Sequence, residues 1–190
     1  MKNMEKDLKS QVFTIPNILS LIRLLLIPVF VWLYSFEEEY TAATVVLVFS
    51  AVTDIVDGWI ARHFNMISDV GKIIDPIADK LTQLTVLICL VVRFPLMLIP
   101  AIFLIVKELV SGIFSLVRIK KTDVVPGAVW HGKVNTVLLY IMMLMHVIFP
   151  NISPVVSDIS ILVCITMMVI SAVLYLTLHY KAIKSRKSKK

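Results

Sequence analysis

Two cysteines are all that this sequence offers, Cys89 and Cys164, and both sit inside apolar runs. Their placement excludes a disulfide framework or a cysteine-based metal knuckle; they read as small residues of an apolar environment. Charge is scarce too. Only 17% of the 190 residues are Asp, Glu, Lys or Arg, against about 25% in soluble domains. With 58% hydrophobic residues and a mean hydropathy of +0.90, a soluble globular domain is excluded and a membrane protein of one compact bundle remains. Internal repeats are lacking, and the basic tail KAIKSRKSKK is the sole biased tract. The four histidines, His63, His131, His146 and His179, are scattered and receive no catalytic role.

What is present is a series of apolar runs. A membrane-crossing helix needs about 20 mostly apolar residues, and six stretches qualify: 12–35, 41–61, 72–92, 95–118, 133–150 and 157–179. The connectors FEEEY, RFP, KKTDVVPGAVWHG and PNISPVVSD carry turn and breaker residues. The expected fold is therefore an all-α integral membrane protein, a six-transmembrane-helix bundle spanning 12–180. An N-terminal juxtamembrane segment, 1–11, precedes it, and a basic C-terminal tail, 181–190, follows. MKNMEKDLKS mixes Met and Leu with Lys and Glu and suits a short interfacial helix. The run after it is long enough to span and shows no small-residue cleavage site, so it reads as a retained first helix.

Lysine and arginine set the orientation. With the N-terminus cytoplasmic, all of the 19 basic residues except Arg23, Arg93 and Lys107 fall on the cytoplasmic side or at its boundary, while Glu37, Glu38 and Glu39 lie opposite. Trp32, Trp59 and Trp130 near span ends suit interfacial anchoring. Asn17 and Arg23 in the first span either border the site or serve packing.

Against this background stands DIVDGWIARHFNMISDVGKIIDPIADK, residues 54–80. A carboxylate at mid-membrane costs about 2.5–3.5 kcal/mol even on mild scales. Asp54 and Asp57 are three apart and Asp75 and Asp79 four apart, so each pair shares a helix face. A short connector lets the two pairs point at one another near the cytoplasmic surface. Oxygen-only ligands of this kind suit Mg²⁺ or Mn²⁺ rather than zinc, and two pairs can support two ions clamping a phosphoryl centre. Gly58, Ala61 and Gly71 leave room for close approach, and Arg62 is within reach to neutralise a diphosphate. A competing reading makes Asp75 a helix N-cap before Pro76.

The residues Asp54, Asp57, Gly58, Ala61, Arg62, Gly71, Asp75 and Asp79 reproduce D-x2-D-G-x2-A-R-x8-G-x3-D-x3-D without departure. Chance would match it less than roughly once in ten million. The stretch resembles the signature of the CDP-alcohol phosphatidyltransferase family, as do the six-span layout and IPNILSLIR at the start of the first span. The resemblance implies a homodimeric six-helix bundle in the cell membrane, a bacterial plasma membrane on this reading, with its site open to the cytoplasm. It makes Asp54, Asp57, Asp75 and Asp79 the ligands of two metal ions, with Asp79 also the general base. Gly58, Ala61, Arg62 and Gly71 would line the CDP-lipid pocket. The reaction implied is transfer of a phosphatidyl group from CDP-diacylglycerol to an alcohol, with release of CMP.

For the acceptor, the pattern resembles in part the family branch using glycerol 3-phosphate. Lys107 and Glu108 stand where that branch has Arg-Glu, and Ser115 where it has an arginine, with Arg118 one turn on. Gly132, Lys133, Val134, Asn135 and Thr136 open the next span, with Asn135 in place of a second lysine. Arg118 and Lys133 would grip the acceptor phosphate. The alternative acceptor is phosphatidylglycerol, as in the cardiolipin-forming branch. A divalent-cation transporter would also carry carboxylates in a bundle, but such sites usually lie at the midplane between repeated or broken helices.

Overall fold

The structure is a computed structural model. It describes residues 14–64, 71–122 and 130–187, without the side chains of Arg62, Lys72, Ile73, 114–122, His131, Leu176 and 178–187. The proposed interfacial segment and most of the connector before Gly71 lie outside the described residues.

Every regular element described is helical. Helix α1 (Ile15–Ser35) follows an extended Thr14 and carries Pro16 in its first turn, where the ring's fixed φ suits the helix and a missing N–H is harmless. Pro28 inside α1 removes one backbone bond. The chain reverses over 36–39 with Glu38 at φ 53°, and the Phe36 and Glu37 amides donate to the Trp32 carbonyl. Helices α2 (Tyr40–His63) and α3 (Gly71–Val91) follow. After a 3₁₀ turn at Pro95–Met97 come α4 (Leu98–Thr122), α5 (Trp130–Ile148) and α6 (Pro154–Lys187).

Among the described residues, four stretches are long and apolar enough to cross a membrane: Ile15–Ser35, Tyr40–Ala61, Pro95–Ile113 and Pro154–Tyr175. The other two expected spans fall short of that measure for different reasons. The first half of α3 carries Lys72, Asp75, Asp79 and Lys80, and the apolar part of α5, Gly132–Ile148, is short. Helix α6 runs unbroken from the apolar stretch to Lys187, through the first seven residues of the expected C-terminal tail.

The chain divides into two compact units. The first holds α1, α2 and α3 as far as Cys89, together with 147–150; the second holds 90–146 and the chain from 151. In the first unit Ala43 and Leu47 of α2 and Ala78, Val86 and Leu87 of α3 are fully buried. Phe30 stacks on Tyr34, and Tyr34 meets Tyr40 edge-on at 5.5 Å, which pins the start of α2 to the end of α1.

In the second unit Met97, Leu104, Leu139, Met143, Ile161 and Met168 form the interior. His146 there is fully buried. Its Nδ1 lies 2.8 Å from the Met142 carbonyl and its Nε2 3.0 Å from Ser157 Oγ. A carbonyl can only accept, so Nδ1 carries the proton and Nε2 accepts from the serine hydroxyl. Phe94 meets the imidazole edge-on at 4.6 Å. His146→Leu strips this clip and leaves the Ser157 hydroxyl buried alone. The expected loss is about 1–3 kcal/mol, read as a lower thermal unfolding midpoint in detergent.

The distribution of polarity is inverted relative to a water-soluble protein. Asn17, Ser20, Arg23, Gln83 and His146 are buried, whereas Leu25, Val45, Ile55, Leu109 and Leu162 are each at least 60% exposed. Water would not tolerate that surface across whole helices, and hydrocarbon would. The chain is a membrane protein.

Candidate active site

Three helices of the first unit build the site. Gly71 begins α3, so Asp75 lies a full turn inside the helix and is no N-cap; Pro76 sits within the helix with it. Asp54 and Asp57 lie in the second half of α2. Opposite them, α1 presents three polar residues at three-residue spacing in an apolar run: Asn17, Ser20 and Arg23, all fully buried. That spacing places them on one face.

Arg23 is the hub. Its guanidinium has no exposed surface; Nη1 lies 2.7 Å from Asp54 Oδ1, and Nη2 donates to Asp57 Oδ2. Asp57 is 3% exposed and Asp54 35%, so the pair runs from the interior toward the surface. The guanidinium takes one oxygen from each carboxylate. Arg23 Nε has no hydrogen-bond partner among the described residues. Ser20 Oγ reaches Asp75 Oδ1 on α3, lies 3.5 Å from Asp57 Oδ2 on α2, and lies 3.0 Å from the Pro16 carbonyl. One hydroxyl has one proton, so it serves one of these acceptors at a time. Its position nevertheless shows that the α2 and α3 carboxylates meet across α1.

Asp79 is held from its own helix. Gln83 Nε2 donates to Asp79 Oδ1 at 2.7 Å, and Lys80 Nζ lies 3.1 Å from Asp79 Oδ2. Gln83 is fully buried. Ser50, Thr82 and Thr85 border a small cavity otherwise lined by apolar side chains such as Leu26, Phe30 and Leu47.

The donor set is carboxylate oxygen, which suits a hard divalent cation. Among the described side chains, the cations that lie against these carboxylates are Arg23 and Lys80, and in chemistry the oxygen donors fit metal ions. No three acidic, histidine or cysteine side chains among the described residues converge on one point as a metal site; Arg23 and Lys80 take up carboxylate oxygens instead.

A family model for the CDP-alcohol phosphatidyltransferases matches residues 13–178. The chain belongs to the CDP-alcohol phosphatidyltransferase family. Among its relatives is a CDP-diacylglycerol–glycerol-3-phosphate 3-phosphatidyltransferase of Rickettsia typhi. It is 34% identical over 113 residues, 58% of this chain and 64% of that protein. A cardiolipin synthase (CMP-forming) of Streptomyces coelicolor is 40% identical over 103 residues, 52% of this chain and 48% of the relative. A cardiolipin synthase (CMP-forming) / mitochondrial hydrolase fusion protein of Schizosaccharomyces pombe is 40% identical over 92 residues, 48% of this chain and 15% of its own length. The chain thus spans less than two thirds of each of these relatives.

Of the residues expected from this transferase signature, the structure brings Asp54, Asp57 and Asp75 together around Ser20 and Arg23. Asp79 lies one turn beyond Asp75 on α3. Gly58 and Ala61 follow on α2, and Gly71 is the first residue of α3. The Arg62 side chain lies outside the described residues, as does that of Arg118 near the end of α4. Lys133 is exposed at the start of α5, and Asn135 is buried beside it with Oδ1 unpartnered among the described residues. Lys107 Nζ lies 3.8 Å from Glu108 Oε1, so these two span charges stand close enough to compensate one another.

Ser20 and Gln83 escaped the sequence reading, and Arg23 entered it only as a residue bordering the site or packing. The available signal was an arginine within an apolar span, which demands an acidic partner, and the i, i+4 spacing of Asp79 and Gln83.

Proposed function

We propose that this chain transfers a phosphatidyl group from CDP-diacylglycerol to an alcohol, glycerol 3-phosphate in the first instance, releasing CMP. The observation that carries the reading is the meeting of signature carboxylates from α2 and α3 across the buried Ser20–Arg23 face of α1. Family membership supports the same chemistry.

On this reading Asp54, Asp57, Asp75 and Asp79 hold two divalent ions, Mg²⁺ or Mn²⁺. When bound, those ions would neutralise charge developing on the phosphoryl oxygens. Gly58, Ala61 and Gly71 leave the backbone accessible to the cytidine diphosphate, and Arg62 pairs with the diphosphate. Asp79, steadied by Gln83 and Lys80, takes the proton of the attacking hydroxyl. The hydroxyl oxygen forms a bond to the lipid-side phosphorus as the bond to CMP breaks. Arg118 and Lys133 grip the phosphate of glycerol 3-phosphate. The protein works as a homodimer of six-span subunits in the cell membrane, with the carboxylates facing the cytoplasm. That placement lets a lipid substrate arrive from the bilayer and a soluble one from the cytosol.

One observation favours phosphatidylglycerol as the acceptor instead. Asn135 is buried and uncharged where a phosphate-gripping lysine would be expected, and its lone carbonyl oxygen calls for a hydroxyl donor. The test is CMP release by purified protein given CDP-diacylglycerol, Mg²⁺ and one acceptor at a time. Release with glycerol 3-phosphate is the expected result. Release with phosphatidylglycerol alone moves the chain to the cardiolipin-forming reaction, and silence with every alcohol overturns the transferase reading.

A further inference from the structure

Arg23 is a costly residue for its position. It lies wholly buried in an apolar helix, and no water-facing edge relieves it. Burying a guanidinium is tolerable only with its charge balanced, and Asp54 and Asp57 supply the balance. The balance also works in reverse. Asp57, 3% exposed, and Asp54 beside it would repel one another without a cation between them. The guanidinium occupies one oxygen of each, Asp54 Oδ1 and Asp57 Oδ2. The other oxygen of each lies outside these two contacts with the guanidinium.

We infer that Arg23 is a built-in counter-cation: it holds Asp54 and Asp57 in place while no metal is bound, and divalent ions then bind against its charge. This rests on the reading of the aspartates as cation ligands. Arg23 is thus a positioning residue, acting through the carboxylates rather than on substrate. Its consequence is a fold that does not depend on metal, together with a metal affinity held below what the bare carboxylates would reach. Ser20 completes the arrangement by tying Asp75 to the same face.

The experiment uses the full chain purified in detergent, without substrate. Thermal unfolding is followed in excess EDTA and in excess Mg²⁺, and Mn²⁺ binding is followed by electron paramagnetic resonance. Wild type is expected to unfold at similar temperatures in both media. Arg23→Gln, which leaves two buried carboxylates facing each other, is expected to lose about 6–20 °C in EDTA and to regain most of that loss in Mg²⁺. Repulsion between a guanidinium and a divalent ion sharing the same carboxylates exceeds a factor of ten even at an effective dielectric of about 20. Mn²⁺ should therefore bind Arg23→Gln roughly tenfold or more tightly than wild type. Arg23→Lys keeps the charge, and its Mn²⁺ affinity should stay near that of wild type.

Equal destabilisation of Arg23→Gln with and without Mg²⁺, or unchanged or weaker Mn²⁺ binding, overturns the inference and leaves Arg23 a packing residue. If Arg23→Gln cannot be recovered in either medium, Arg23→Lys decides, because a tenfold change in its Mn²⁺ affinity would show that geometry rather than charge governs the site. Wild type that binds no Mn²⁺ removes the cation reading of the aspartates itself. That failure is distinct from Arg23→Gln misbehaving over intact wild-type binding.

Discussion

Asp57→Asn should lower CMP release more than about a hundredfold while the protein still inserts and folds. Asn has the shape of Asp without the charge, so the packing around position 57 survives. Arg23 keeps Asp54 at 2.7 Å, which avoids the cost of a wholly unpaired buried cation. What the change removes is one of the four carboxylates proposed to bind metal, the most deeply buried member of the α2 pair. Partners one shell further out already cost 10–100-fold when lost, so a direct ligand should cost more. Turnover is compared at equal amounts of folded protein, verified by thermal unfolding, with Asp158→Asn as the control. Asp158 is exposed near the start of α6, and its substitution should leave turnover unchanged. Full activity in Asp57→Asn would remove the metal reading of these residues.

Chelation should produce an effect of similar size without any substitution. EDTA is expected to bring CMP release to background, and added Mg²⁺ or Mn²⁺ to restore it. Among the described side chains, Arg23 and Lys80 balance only part of the charge of four carboxylates, and an incoming diphosphate adds more of the same sign. Side chains alone are not expected to hold such a cluster together with an anionic substrate. The all-oxygen donor set predicts which ion serves. Zn²⁺, which favours nitrogen and sulfur donors, should restore far less turnover than Mg²⁺ or Mn²⁺. Undiminished release in EDTA would mean that side chains alone carry the chemistry.

The sequence made the helices legible because hydrocarbon imposes a simple rule on each run, and the α2 carboxylates because their spacing selects a face. Breakers such as Pro95 mark the ends well, and the α4 apolar stretch begins there. The length of α6 was not legible, because Lys and Arg are good helix formers and nothing in KAIKSRK stops a helix. The role of α1 was only half legible. Asn17, Ser20 and Arg23 show their spacing openly, but which acids they meet depends on packing among α1, α2 and α3, and no local pattern encodes that. The same holds for Ser20, an ordinary helix serine in sequence, whose hydroxyl sits between two helices' carboxylates only in the folded unit. Gln83 behaves differently, since its partner is one turn away on its own helix.

The unbroken run of α6 bears on how the basic end meets its surroundings. At 1.5 Å per residue, its 34 residues rise about 51 Å, against a hydrocarbon core of about 30 Å. Standing near the membrane normal, a helix of that length outruns the hydrocarbon core by about 21 Å. Lys181, Lys184, Arg186 and Lys187 therefore ride on a stiff mast rather than a loose tether. A membrane surface potential decays over about 8 Å at physiological ionic strength.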